Sequence, residues 1–181
     1  QLDAEGTPFI GLLYAGLVLT ADGIKVVEFN ARFGDPETQP LLLLLATPLG
    51  GLLLAAANGE LADQPPLEWF PGYAVGVVIA AEGYPGSPTL GGRIHEGQFR
   101  PGSIKLFHAG TARDELGNIR VSGGRVMTVA GRGHTLGFAS RMVYAAIESF
   151  HLPGLFWRTD IAAAAARDEI VWDVPEAGLF Q

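Results

Sequence analysis

One run of residues sets the terms for the rest of the chain. It is Lys25 to Gln39, reading Lys-Val-Val-Glu-Phe-Asn-Ala-Arg-Phe-Gly-Asp-Pro-Glu-Thr-Gln. It starts as a strand and ends as a charged turn. Val26, Glu28 and Asn30 alternate with Val27 and Phe29, and successive side chains of an extended strand point to opposite faces. Glu28 and Asn30 therefore share a face, with origins roughly 7 Å apart by strand rise. The other face is apolar and suits a core. Lys25, three residues before Glu28, falls on the opposite face by the same rule. Arg32 follows at the same spacing, and Gly34 and Pro36 hold Asp35 and Glu37 in a turn. A carboxylate and an amide oxygen on one face are hard oxygen donors of the kind magnesium takes, with water and substrate phosphates completing its shell. Arg32 offers a planar fork of donors for a phosphate, and Asp35 and Glu37 could orient an amine or hydroxyl. The alternative is an edge strand whose polar face and turn are simply solvated.

The segments around this run read as a coarse map. Pro8 to Thr20 is an apolar strand, Asp22-Gly23 favours a tight hairpin turn, and Ile24 to Asn30 returns antiparallel. Thr38 to Leu45 and Leu49 to Asn58 read as helices, with Pro48 suited to a first turn and Asn58-Gly59 to a stop. Gln64 to Gly72 has linker composition. Beyond it, Tyr73 to Ala81 has the length and apolarity of a central strand. Gly83 to Gly92 is a connecting loop without the P-loop pattern. Ile104 to His108 and Arg125 to Ala130 are strands, joined through a hairpin-like turn at Leu116-Gly117-Asn118. His134 to Ser149 is the clearest helix, with Thr135 as N-cap and a stripe of Ala139, Met142, Val143, Ala146 and Ile147 at helical spacing. Asp160 to Glu169 suggests a last short helix, favoured by its alanines.

Composition excludes several classes. The chain has 181 residues, 48% of them hydrophobic and 17% charged, and a net charge of −7 with no Lys/Arg run. That describes a globular chain with a core and argues against a nucleic-acid partner. Cysteine is absent, which excludes disulfides and thiolate metal sites and fits a reducing compartment. No basic, apolar and small-residue leader suggests export. Leu41 to Ala57 imitates a membrane span, but Pro48 and Gly50-Gly51 interrupt it and it is short of roughly 20 residues. It reads as two short buried helices. His95, His108, His134 and His151 lack metal-ligand spacing, so structural roles are expected for them. Ser140 and Ser149 lack a nucleophile elbow.

Val27 to Gln39 resembles the signature of the phosphoribosylamine–glycine ligase (glycinamide ribonucleotide synthetase) family, ATP-grasp enzymes of purine synthesis. Gly11-Leu-Leu-Tyr-Ala-Gly-Leu is similar to the strand before it in that family. Ala80-Ala-Glu-Gly-Tyr-Pro-Gly, Phe107-His-Ala-Gly-Thr, Ser122-Gly-Gly-Arg-Val and Arg158-Thr-Asp-Ile match later blocks, in order. The resemblance covers nearly the whole chain but only the C-terminal part of that enzyme. Two departures stand out: Thr47-Pro48-Leu49 where many members have an acidic residue, and Ala162 where many have glycine.

The resemblance implies an α+β fold: the C-terminal part of an ATP-grasp domain over 1–61, a linker over 62–72, a small α+β C-terminal domain over 73–170 and a tail over 171–181. It implies a cytoplasmic ligase joining glycine to 5-phosphoribosylamine with ATP, through glycyl phosphate, with Mg²⁺ or Mn²⁺. Glu28 and Asn30 match the metal ligands and Arg32 a phosphate contact. Asp35 and Glu37 match the signature turn and are assigned to substrate placement. Expected partners are these small molecules and a missing N-terminal half of the same enzyme, with no nucleic acid and no membrane. The rivals are another ATP-grasp carboxylate–amine ligase, and a non-catalytic binding or assembly module of the same fold. Lys25 and Lys105 are the only lysines, and neither is evidently placed to grip ATP, so the chain alone is expected to be inactive.

Overall fold

The computed structural model describes residues 2–20, 22–95 and 102–170. The expected tail over 171–181 lies outside the described residues. The fold is α+β, and the chain divides into two compact units, Gln1–Pro71 and Gly72–Gln181.

The first unit is built on an antiparallel hairpin of β1 (Tyr14–Thr20) and β2 (Gly23–Asn30). Thr20 closes its tip: its hydroxyl donates to the Gly23 carbonyl at 2.8 Å and accepts from the Asp22 amide at 3.2 Å. Gly23 sits at φ 97°, in the left-handed range that glycine tolerates. The strand expected from Pro8 begins only at Tyr14, because β2 ends at Asn30, directly opposite Tyr14. Residues 8–13 have no stretch of β2 left to pair with.

The ladder is not regular. Gly16 faces Glu28, but Leu17 faces Val26, so Val27 is an extra residue on β2. Such a β-bulge sets two residues against one, and it changes the parity of everything before it. Val18 faces Lys25. Residues directly opposite in an antiparallel pair lie on the same side of the sheet, and Gly16 and Val18 are alternate residues of β1. Lys25 therefore shares the face of Glu28 and Asn30. Simple alternation, which put Lys25 on the opposite face, is corrected by the one inserted residue. The second face carries Leu17, Leu19, Ile24, Val26 and Phe29, all exposed.

Two helices follow, α1 (Thr38–Leu44) and α2 (Leu49–Asn58). Pro48 stands just before α2 in an extended conformation, and Gly59 ends it at φ 76°, a left-handed glycine stop. The expectation of buried helices does not hold. No residue of α1 is buried and only Ala55 of α2 is; Leu41 is 50% and Leu54 64% exposed. Apolar composition states what a helix would bury, but nothing among the described residues covers these faces. Beyond α2 the chain returns to the end of α1. Phe70 N–H donates to the Leu44 carbonyl at 2.7 Å, and Glu68 N–H to Thr47 Oγ1 at the same length. Among the described residues no helix is long and apolar enough to cross a membrane.

The second unit has its own core. β3 (Tyr73–Ala81), β4 (Ile104–His108), β7 (Arg125–Gly133) and β8 (Leu155–Phe156) form an antiparallel sheet in the order β4-β7-β3-β8. A small hairpin of β5 (Thr111–Arg113) and β6 (Ile119–Val121) lies beside it in sequence. Its turn is knit by Asp114, which accepts from the Leu116 and Asn118 amides, the Asn118 side chain and Arg120 Nε. The Asn118 side chain foremost, aided by those amides and Arg120, holds the Asp114 carboxyl down at about 2. Helix α3 (Leu136–Glu148) begins as its sequence suggests, with Thr135 Oγ1 accepting from Phe138 N–H at 3.2 Å. Its buried residues are Ala139, Val143, Ala146 and Ile147, packed with Val77, Ile79 and Val129 of the sheet. Gly131 permits the close approach: a Cβ there would lie 2.5 Å from Ile104 Cδ1 and 3.0 Å from Val143 Cγ2. Full burial of side chains such as Ile79 and Ile147 stabilises this core by roughly 1.5–3 kcal/mol each.

The last helix is shorter than its alanines suggest. α4 spans only Ala163–Ala166, because Ala162 at φ 62° and Asp168 at φ 55° interrupt it on either side. A left-handed conformation costs an L-residue roughly 1–2 kcal/mol, and glycine avoids that cost. Ala162→Gly is expected to stabilise the second unit by about 0.5–1 kcal/mol, the strain relieved less the chain entropy glycine adds. An unchanged or lowered urea midpoint for that variant would show that position 162 is not strained.

Candidate functional site

The hairpin face that carries Glu28 and Asn30 is a bonded array. Asn30 Nδ2 donates to Glu28 Oε1 at 2.8 Å. Arg32 Nη2 donates to Asn30 Oδ1 at 3.2 Å, and Nη1 to the Phe33 carbonyl at 2.7 Å. Three of the residues singled out in the sequence thus form one chain of hydrogen bonds, and the arginine fork braces both the amide and the turn after the strand. Opposite Glu28 stands Gly16, where a Cβ would lie 3.1 Å from Glu28 Cγ. Glycine in β1 leaves room for the carboxylate.

The turn is tied to the hairpin by a residue that sequence reasoning missed, Tyr14. It faces Asn30 across the ladder. Burial, then the hydrogen bond and charge of Glu37, then the charge of Glu28, raise its phenol above the ordinary value, while Arg32 opposes them. Tyr14 therefore links Glu37 to the Glu28 and Arg32 group. Gly34 makes the contact possible, since a Cβ there would lie 2.7 Å from Glu37 Oε2 and 2.8 Å from Tyr14 Cε2. Asp35 accepts from Gln39 Nε2 at 3.1 Å. Gln39 Oε1 is buried without a hydrogen-bond donor among the described residues. The signal for Tyr14 was its place in the hairpin, which becomes readable only when the bulge fixes the register.

The donor set fits a divalent cation in kind. Glu28 and Asn30 supply hard oxygens from adjacent side chains, and magnesium completes such a shell with water and phosphate oxygens. Among the described residues there is no group of three or more His, Cys, Asp or Glu side chains that could hold a metal by themselves. In the structure Asn30 turns its amide nitrogen to Glu28 and its oxygen to Arg32.

In the second unit three of the later sequence blocks, those beginning at Ala80, Phe107 and Ser122, converge. Ala81 N–H donates to the Gly124 carbonyl at 2.8 Å, and Ser122 N–H to the Gly110 carbonyl at 2.8 Å. Cβ atoms at Gly110 and Gly124 would lie 2.7 Å from Gly123 Cα and 2.4 Å from Tyr84 Cδ2. The segments around Tyr84, Gly110 and Gly123 are thus pressed together. Beside them His108 Nδ1 lies 3.1 Å from Thr111 Oγ1, at a cavity of about 240 Å³ lined by these two with Ala112, Arg113 and Ile119. His95 and His151 meet with ring centroids 5.9 Å apart.

Gly34→Ala is expected to push the turn off Tyr14, weaken its bond to Glu37, and lower the Tyr14 phenol toward its ordinary value. Ultraviolet titration of that variant, with Tyr14→Phe identifying the signal, checks this. A titration identical to that of the parent would show that the turn does not rest on Tyr14.

Comparison with known proteins gives the array its context. Residues 74–164 match the family model described as Phosphoribosylglycinamide synthetase, C domain, and residues 1–38 match its ATP-grasp (A) domain. The chain is 52% identical to the phosphoribosylamine–glycine ligase of Leifsonia xyli over 169 residues, covering 91% of this chain and 40% of that protein. It is 51% identical to that of Caulobacter vibrioides over 159 residues, covering 87% and 37%. The chain therefore spans about two-fifths of the length of these curated relatives. The crystal structure of the Thermotoga maritima phosphoribosylamine–glycine ligase superposes with a TM-score of 0.75 at 35% identity, covering 89% of this chain and 39% of that one. The biotin carboxylase domain of the Hydrogenobacter thermophilus 2-oxoglutarate carboxylase superposes at 0.61 with 16% identity, covering 92% and 37%, a likeness of fold. With its C-domain match spanning half of its length and an ATP-grasp match before it, the chain belongs to the phosphoribosylglycinamide synthetase family.

Proposed function

We propose that the chain is part of a phosphoribosylamine–glycine ligase of purine synthesis working in the cytoplasm, and that the Glu28–Asn30–Arg32 array is part of its active site. The observation that carries this reading is the bonded array itself: a carboxylate, an amide and a guanidinium joined by hydrogen bonds on one strand face, with Tyr14 and the acidic turn packed at Gly34. A merely solvated edge strand has no need of that order. In the proposed reaction the γ-phosphoryl group of ATP passes to the glycine carboxylate, giving glycyl phosphate and ADP. The amine of 5-phosphoribosylamine then attacks the acyl carbon. A C–N bond forms, phosphate leaves, and the nitrogen gives up a proton.

Each step gathers negative charge, which positioned cations and donors must offset. Glu28 and Asn30 would hold a divalent ion, Mg²⁺ or Mn²⁺, which when bound neutralises phosphate charge. Arg32 keeps Asn30 and the turn in place and presents its remaining N–H groups to a phosphate oxygen. Asp35 and Glu37, fixed by Gln39 and Tyr14, would place the amine substrates. The relatives are far longer than this chain, and the nucleotide grip is assigned to a part of the enzyme that precedes it. A 1–61 share of the ATP-grasp domain, a 62–72 linker and a 73–170 C-terminal domain are the division that fits this reading.

In the full-length context Glu28→Ala is expected to lower turnover by about 10²-fold or more, the scale on which lost charge stabilisation acts. Glu68→Ala, far from the array in sequence, serves as the control. Near-normal turnover of the Glu28 variant at limiting Mg²⁺ would sink the assignment. Arg32→Lys is expected to be damaging too, since an ammonium has no planar fork with which to hold Asn30 and the Phe33 carbonyl together; retention of most activity by that variant would remove Arg32 from the site. The 181 residues alone, given ATP, Mg²⁺, glycine and phosphoribosylamine, are expected to release no ADP in a glycine-dependent way. Sustained turnover above a Glu28→Ala control would show that no preceding part is needed.

A further inference from the structure

The bulge at Val27 does more than bend the hairpin. With Gly16 opposite Glu28 and Val18 opposite Lys25, the two charged residues stand as next-nearest neighbours on one face, roughly 7 Å apart at their origins. Lys25 is exposed and makes no ion pair among the described residues, where the pairs are Arg120–Asp114, Arg158–Asp160 and Arg167–Glu169. It is one of two lysines in a chain of net charge −7. Along this face the order runs from Asn30 through Glu28 to Lys25, so a phosphate brought to the carboxylate–amide pair with a divalent ion would lie within reach of an unpaired ammonium on a flexible stem. Lysine serves phosphate as a mobile point charge, where arginine serves it as a fixed fork.

Resting on the ligase reading above, we propose that Lys25 is a further substrate-contacting residue of this face, its ammonium binding phosphate oxygens of a substrate. Two substrates of the proposed reaction carry phosphate, ATP and 5-phosphoribosylamine, and the contact is the same in chemistry for both. The bulge is what creates it: in a regular ladder Lys25 would point away with the apolar side chains.

The test uses the full-length enzyme with Lys25→Gln and Lys25→Arg, and with Lys105→Gln as a charge control in the second unit. A charge-assisted hydrogen bond lost to Gln should raise the KM for one phosphate substrate roughly tenfold to a hundredfold, with a smaller change in kcat. Arginine at the same place should restore most of it. Calorimetric titration without turnover, with ATP in EDTA and separately with ribose 5-phosphate, should show the same weakening. A change confined to ATP assigns the contact to the nucleotide, and one confined to the ribose phosphate assigns it to the amine substrate. Unchanged KM and binding for both substrates in Lys25→Gln, in an enzyme that Glu28→Ala cripples, would overturn the proposal alone. An unmodified enzyme with no glycine-dependent ADP release would overturn the ligase reading and this proposal with it.

Discussion

Backbone pairing between β1 and β2 is the constraint on which the candidate site depends. Glu28, Asn30 and Tyr14 come from two strands and meet only because the ladder sets Tyr14 against Asn30 and Gly16 against Glu28. The side chains then finish what the backbone begins. Each hydrogen bond of the array is exposed, and an isolated exposed contact of this kind contributes little to stability. Their worth lies in order. Asn30 is held from both sides, by Glu28 and by Arg32, so its amide has a defined orientation before any ligand arrives. Arg32 spends two of its donors within the chain to achieve that.

The two units differ in how far they satisfy themselves. The second encloses a core in which Val77, Ile79, Val126, Val129, Val143 and Ile147 are fully buried, and its sheet has a helix to cover it. The first leaves Leu17, Val26, Phe29, Leu41 and Leu54 exposed, a surface that burial would favour at roughly 25 cal/mol per Å². The hairpin and helices are formed, but the interactions that would hold them against a neighbour are not supplied by the described residues. The proposed place of this unit as a share of an ATP-grasp domain in a longer enzyme agrees with that imbalance.

Much of the second unit was legible in the sequence, because its elements are local. β3 and β4 coincide with the apolar runs Tyr73 to Ala81 and Ile104 to His108, and Thr135 caps α3 as its residue type suggests. What was not legible depends on a partner. The face of Lys25 is set by an extra residue that only pairing with β1 reveals. The exposure of Leu41 and Leu54 depends on what packs over them, and the start of β1 on where β2 stops. The shortness of α4 is a different case. Ala162 has high helix propensity, yet its backbone follows the path of the chain rather than its own preference. In the candidate site the carboxylate, amide and guanidinium were visible as a spacing, whereas Tyr14 and the orphaned oxygen of Gln39 needed three dimensions.

The packing of Gly110 against Gly123 and of Gly124 against Tyr84 has a bearing on how this molecule can vary. At these points one backbone, or a ring, occupies the space another residue's first side-chain carbon would need. The loops therefore behave as interlocking parts cut to a common clearance. A larger residue at Gly110 cannot be absorbed by a rotamer change in the next loop, since backbone is what it would meet, whereas one at Gly124 would meet the Tyr84 ring. Open space in this corner lies instead at the neighbouring cavity, lined in part by Ala112, Arg113 and Ile119.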